Sequence, residues 1–128
     1  MKLLLDTHAF IWWDQQPEKL SARVRRLIES GTNAVYVSIA SIWEIQIKLA
    51  IGKLTLNRSL PETVTVQQAA NGLNVLPIGL AHLWTLARLA DLHRDPFDRM
   101  LLAQAKFENM RLLSRDSDLK RYGVELIW

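Results

Sequence analysis

The chain opens on Lys2-Leu3-Leu4-Leu5 and then meets an acid, Asp6. Apolar residues without alternation suit a strand buried on both faces, and such strands belong to parallel sheets covered by helices on each side. The same texture returns at residues 34–37, rich in β-branched side chains, at 73–76, at 111–113 and at 124–127. Between these runs the apolar period lengthens to that of a helix. Val24, Leu27 and Ile28 form an inner stripe behind a Ser21 cap, and Gly31 ends that helix. Ile42, Ile45 and Leu49 do the same within residues 39–50, before Gly52. Ser59-Leu60-Pro61-Glu62 reads as a helix start extending to residue 70, and Asn71-Gly72 as a turn. Further helices are predicted over residues 7–13, 80–89 and 95–108. Strands alternating with helices imply an α/β fold with a central parallel sheet.

At 128 residues the chain has the size of one domain spanning residues 1–128, and its 49% apolar content is that of a globular protein. The absence of cysteine excludes a disulfide scaffold, thiol chemistry and a zinc site built on sulfur. No apolar run approaches the ~20 residues that span a bilayer, and the N-terminal run is too short for a signal peptide, so no membrane partner and a cytoplasmic location are expected.

Four carboxylates stand where a strand or loop gives way to a helix. Asp6 follows the first strand, Glu44 lies one turn into the helix after the second, Asp98 sits at the start of the helix opened by Asp95-Pro96, and Asp116 follows the fourth strand. In a parallel sheet the carboxyl ends of the strands share one edge, where ligands bind. Acids gathered there repel unless a cation joins them, and Mg²⁺ or Mn²⁺ takes oxygen ligands of this kind. Setting four of the 13 acids in one place leaves nine facing 16 basic residues elsewhere, a balance suited to a polyanionic substrate.

Each acid also has a plain structural reading. Asp6 and Asp95 can cap helices. Ser41-x-x-Glu44 matches a capping box, but a helix starting from Ser38 would leave Glu44 interior and aimed at the sheet edge. Asp116 can form an Asx turn, with Asp118 beginning a helical turn; Asp116 is nearer the strand end. Thr7, Ser114, Asp95 and Asp118 are candidates to support the acids through hydrogen bonds or water. Arg94, Arg99 and Arg115 flank them and are candidates to clamp phosphates. His8, His82 and His93 share no metal-ligand spacing; His82 reads as a packing residue, and His8 as a core or supporting one. Trp12 and Trp13 cannot both point inward on one short helix, so one is expected in an exposed groove that receives a partner.

Leu3-Leu4-Leu5-Asp6-Thr7-His8, Ser41-Ile42-Trp43-Glu44-Ile45, the stretch from His93-Arg94-Asp95-Pro96-Phe97-Asp98-Arg99 to Gln104-Ala105, and Leu112-Leu113-Ser114-Arg115-Asp116 together resemble a PIN domain. More narrowly they resemble the VapC-type toxins of bacterial toxin–antitoxin pairs. The resemblance implies a three-layer α/β/α sandwich and a Mg²⁺- or Mn²⁺-dependent endoribonuclease. Its four acids fall on Asp6, Glu44, Asp98 and Asp116, with Asp118 an alternative for the last. It also implies a homodimer and a complex with a VapB-like antitoxin, whose C-terminal segment lies along a groove over the acids. Operator DNA is then bound only through the antitoxin. The alternatives are a DNA nuclease or a non-catalytic module that binds RNA or protein. A phospho-acceptor signalling domain is disfavoured, since the acid after the second strand is a glutamate within the helix and no lysine sits suitably before Val124.

Overall fold

The computed structural model describes residues 1–90 and 95–128. Its centre is a five-stranded sheet of β1 (Lys2–Leu5), β2 (Ala34–Ser38), β3 (Asn74–Leu76), β4 (Arg111–Leu113) and β5 (Leu126–Ile127). The order is β3-β2-β1-β4-β5 and every pairing is parallel. β1 is central, with Leu5 level with Val37 on one side and Leu113 on the other. The chain runs outward from β1 through β2 to β3 and returns to β4 on the opposite flank. The crevice at the carboxyl ends of β1 and β4 is therefore a topological switch point, where open α/β sheets bind ligands.

The helices are α1 (Thr7–Gln15), α2 (Ala22–Glu29), α3 (Ile39–Ala50), α4 (Leu60–Asn71), α5 (Leu80–Arg88) and α6 (Pro96–Glu108), with 3-10 turns at Pro17–Lys19 and Ser117–Tyr122. The pleat of the central strands sorts the core into two layers. Leu3, Leu5, Val35, Val37 and Leu113 pack with Phe10, Val24 and Ile45 from α1, α2 and α3. Leu4 and Leu112 point the other way, into Met100, Leu101 and Leu102 of α6 and Leu119 and Tyr122 of the second 3-10 turn. Both faces of β1 are sealed: Leu3, Leu4 and Leu5 are fully buried. This is the expected three-layer arrangement.

Helix boundaries follow local chemistry. Ser38 caps α3 by accepting from the Ala40 N–H at 3.0 Å, so the capping box on Ser41 is not used. Ser59 caps α4, and Gly72 ends it at φ +66°, a conformation glycine adopts without a Cβ clash. Several boundaries differ from expectation by a residue or two, and three of them have a plain local cause. β3 begins at Asn74 because Leu73 still closes α4, its N–H donating to the Gln67 carbonyl. β5 keeps only Leu126–Ile127 of the expected run. α1 continues to Gln15, two residues beyond Trp13, since nothing before Pro17 interrupts it.

Candidate active site

Asp6 extends the β1–β4 ladder by one bond, its N–H donating to the Leu113 carbonyl at 3.0 Å, and the chain then turns into α1. Its Oδ1 accepts from the Ala9 N–H at 2.7 Å, so it caps the helix and faces the crevice at once. Burial pushes the Asp6 carboxyl above its ordinary range, and the nearby Glu44 charge adds to this; hydrogen bonds from the Ser114 hydroxyl and the Ala9 N–H, with His8 nearby, oppose the rise. Desolvation is the larger influence, as expected for a carboxylate taken out of water.

Glu44 is interior to α3 and buried. The Thr7 hydroxyl, 3.1 Å from the Ser41 hydroxyl, donates to Glu44 Oε1 at 2.6 Å. Lys48, one turn further along α3, pairs with Oε2 at 2.9 Å. Asp95 caps α6, its Oδ1 accepting from the N–H groups of Phe97 at 2.8 Å and Asp98 at 3.2 Å, and Asp98 occupies the first turn of that helix. Asp116 follows β4. Its N–H donates to the Ser114 hydroxyl at 3.1 Å, and its carboxylate accepts from the Asp118 N–H at 3.0 Å.

These four acids line one cleft of about 340 Å³ together with Asp95, Thr7, His8, Trp12, Lys48 and Arg115. Elements remote in sequence thus converge at the switch point. The donor set is of hard carboxylate oxygens, with a buried acid whose ionised form is disfavoured until a cation arrives, and this fits Mg²⁺ or Mn²⁺. Among the described residues, no three His, Asp or Glu side chains stand close enough together to hold one ion by themselves. Mg²⁺ commonly takes one or two carboxylates directly and keeps several waters, so a site of this kind would not need three acids on one ion.

Other expected participants fall differently. Asp118 is exposed in the 3-10 turn and does not line the cleft; it supports Asp116 through its backbone. Arg99 donates to the Ala90 carbonyl at 2.8 Å and is not among the cleft-lining residues described. Arg115 does line the cleft, with its guanidinium 5.0 Å from the Trp12 ring centroid. Arg94 and His93 lie outside the described residues. His8 is exposed at the cleft and packs on Trp12 at 5.6 Å, so it is not a core residue. His82 is a buried packing residue: Nδ1 accepts from the Gly79 N–H at 3.0 Å, so Nε2 carries the proton toward Glu108 at 2.9 Å. Of the two adjacent tryptophans, Trp12 lines the cleft and Trp13 does not. Both are half-buried against the core, because the turn at Pro17–Lys19 folds back over α1; the exposed tryptophans are Trp43 and Trp84. Sequence reasoning passed over Lys48. Its position four residues after Glu44 was the available signal, since such pairs meet on a helix surface.

The PIN-domain family matches over residues 3–125, and the chain belongs to that family. It is 26% identical over 121 residues to Ribonuclease VapC22 of Mycobacterium tuberculosis, a stretch covering 94% of this chain and 91% of that protein. Its fold is that of a chain in the crystal structure of VapBC2 from Rickettsia felis bound to a DNA fragment from their promoter, with a TM-score of 0.75 at 16% identity, covering 99% of this chain and 98% of the other. DNA-bound VapBC from Salmonella typhimurium is similar too, with a TM-score of 0.70 at 17% identity and coverage of 99% and 97%.

Proposed function

We propose that this protein is a Mg²⁺- or Mn²⁺-dependent endoribonuclease, the toxin of a toxin–antitoxin pair. One observation carries the reading: acids from the β1 exit, α3, α6 and the β4 exit line a single cleft at the sheet's switch point. Membership of the PIN-domain family and likeness to a VapC ribonuclease support it. Asp6, Glu44, Asp98 and Asp116 are the residues that would hold the ion. When bound, it supplies positive charge to the phosphodiester and acidifies an attacking water. The chain's own groups hold and orient. Thr7 points Glu44, Ser114 and the α1 N-terminus hold Asp6, and Asp95 fixes the helix start that carries Asp98. Lys48 balances the charge of Glu44, while Arg115 and His8 offer cationic or hydrogen-bonding groups to phosphates at the rim.

The partners follow from the same reading. A VapB-like antitoxin covers the acidic cleft with its C-terminal segment and carries the contacts to operator DNA. The toxin pairs with itself through the face of α3 where Ile39, Trp43 and Ile47 recur every fourth residue and are exposed, continued by Ile51 just past the helix end. Among the described residues no helix is long and apolar enough to cross a membrane, and we place the protein in the cytoplasm with its RNA.

The deciding experiment expresses the wild type and Asp98→Asn in cells and maps RNA ends, then repeats the comparison with purified protein in Mg²⁺, Mn²⁺ or EDTA. New RNA ends that require the metal and the wild-type Asp98 are expected. Equal ends from both chains would remove Asp98 from the chemistry, and cleavage of DNA alone would change the substrate.

A further inference from the structure

A second, smaller cavity of about 160 Å³ adjoins the acidic cleft and shares Arg115 with it. Arg23 from α2, Arg115 from the β4 exit and Lys120 from the 3-10 turn line it, along with Ser117 and Trp128. All three cations are exposed, and none takes part in the ion pairs found among the described residues. No Asp or Glu is among the residues lining this cavity. Residues from three separate elements thus bring positive side chains to one small space that no Asp or Glu side chain lines, an arrangement that favours an anion arriving from solution.

Arg115 is the wall between the two spaces. Its guanidinium lies over the Trp12 ring, and Trp12 in turn meets Trp128 edge-on at 5.9 Å. A guanidinium resting on an aromatic face is held by cation–π attraction and keeps its charge at the boundary. Ser114 also joins the two sites, lining the basic cavity while its hydroxyl bonds Asp6.

We propose that this basic pocket receives a backbone phosphate of the RNA strand next to the one being cut; this rests on reading the acidic cleft as the site of phosphodiester cleavage. An acidic cleft repels a polyanion, so affinity has to come from cations close by. A strand with one phosphate in the cleft continues past Arg115, where two guanidinium groups, an ammonium and a hydroxyl match the several acceptor oxygens of a phosphate. The pocket is small enough to take one phosphate of a single strand and too small to seat a duplex.

The test places Arg23→Gln with Lys120→Gln in the Asp98→Asn chain, so that RNA is bound without being cut. The probe is a fluorescein-labelled single-stranded RNA of randomised sequence, about 12 nucleotides long, read by anisotropy in Mg²⁺ across a salt series. Loss of the pocket is expected to weaken binding about tenfold and to make the log–log salt slope shallower by about 0.7, the amount one single-strand phosphate contributes. Lys2→Gln with Lys106→Gln, which removes the same charge around a cavity at the opposite edge of the sheet, is the control and should change affinity less than about twofold. Equal weakening by both pairs, no weakening by the first, or no binding by the Asp98→Asn parent overturns the proposal. So does unchanged RNA affinity with lost binding of hexaglutamate, which would make the pocket a peptide site. Cleavage by the wild type is scored separately, so its absence sinks the nuclease reading and leaves this comparison standing.

Discussion

Asp6 is under opposite demands on its charge. Capping α1 favours the carboxylate, as the proposed cation would, while burial disfavours it and wins in the metal-free protein. A carboxyl raised above its unfolded value of 3.8 binds more protons in the folded chain than in the unfolded one over the window just above that value. Metal-free stability from this group therefore falls as pH rises through the window, and at neutral pH the ionised acid is a net burden. Asp6→Asn keeps a capping oxygen without the charge. We expect it to raise the metal-free melting temperature by a few degrees at pH 7, to remove the stabilisation that Mg²⁺ gives the wild type, and to abolish cleavage. A lower melting temperature measured by calorimetry would mean the carboxylate is compensated without metal. Thr7 acts at the same scale. Its hydroxyl is a donor to Glu44 within the protein interior, and Thr7→Val preserves shape while removing that donor. About tenfold more Mg²⁺ should be needed for half-maximal cleavage, with Thr7→Ser restoring the wild-type requirement.

At the scale of the element, each acid is aimed by a helix start. Ser38 is the clearest case, because the choice between two caps decides where Glu44 points. Capping from Ser38 makes Glu44 the sixth residue of α3 and turns it inward toward Thr7; capping from Ser41 would have spent Glu44 on the helix's own backbone. Ser38→Ala should cost about 1 kcal/mol, or a fall of roughly 4 °C in melting temperature, followed by differential scanning calorimetry. Most elements were legible beforehand. α3 and α6 run as periodicity and caps imply, since amphipathic stripes, Ser38, Asp95-Pro96 and the residues after each helix all agree. The short edge strands were less so. Asn74–Leu76 and Leu126–Ile127 are defined by a neighbour's register, which local pattern does not encode.

For the whole molecule, the decisive quantity is convergence. The order β3-β2-β1-β4-β5 brings the ends of β1 and β4 side by side although more than a hundred residues separate them, and α3 and α6 add Glu44, Lys48 and Asp98 to the cleft lining. The same packing leaves the Ile39, Trp43, Ile47 and Ile51 stripe exposed within one chain, with only Phe97 set edge-on to Trp43. Trp43→Lys together with Ile47→Lys is expected to convert a dimer into a folded monomer by analytical ultracentrifugation, with an unchanged far-ultraviolet dichroism spectrum. A wild type that sediments as a monomer at micromolar concentration would remove α3 as the self-association face.

The parallel α/β class, the main helices and the four acids were determined by the sequence alone, because apolar period, caps and strand-end carboxylates are local properties that each stretch of chain carries with it. Tertiary structure decided the rest. It placed Lys48 on Glu44, drew Arg115 onto Trp12, turned Arg99 to the Ala90 carbonyl, half-buried both Trp12 and Trp13, and set Arg23 and Lys120 around a pocket that no motif foretold. The physical reason is range. A long flexible side chain at a surface takes its direction from whichever neighbours the fold brings within a few ångströms, and those neighbours are distant in the chain.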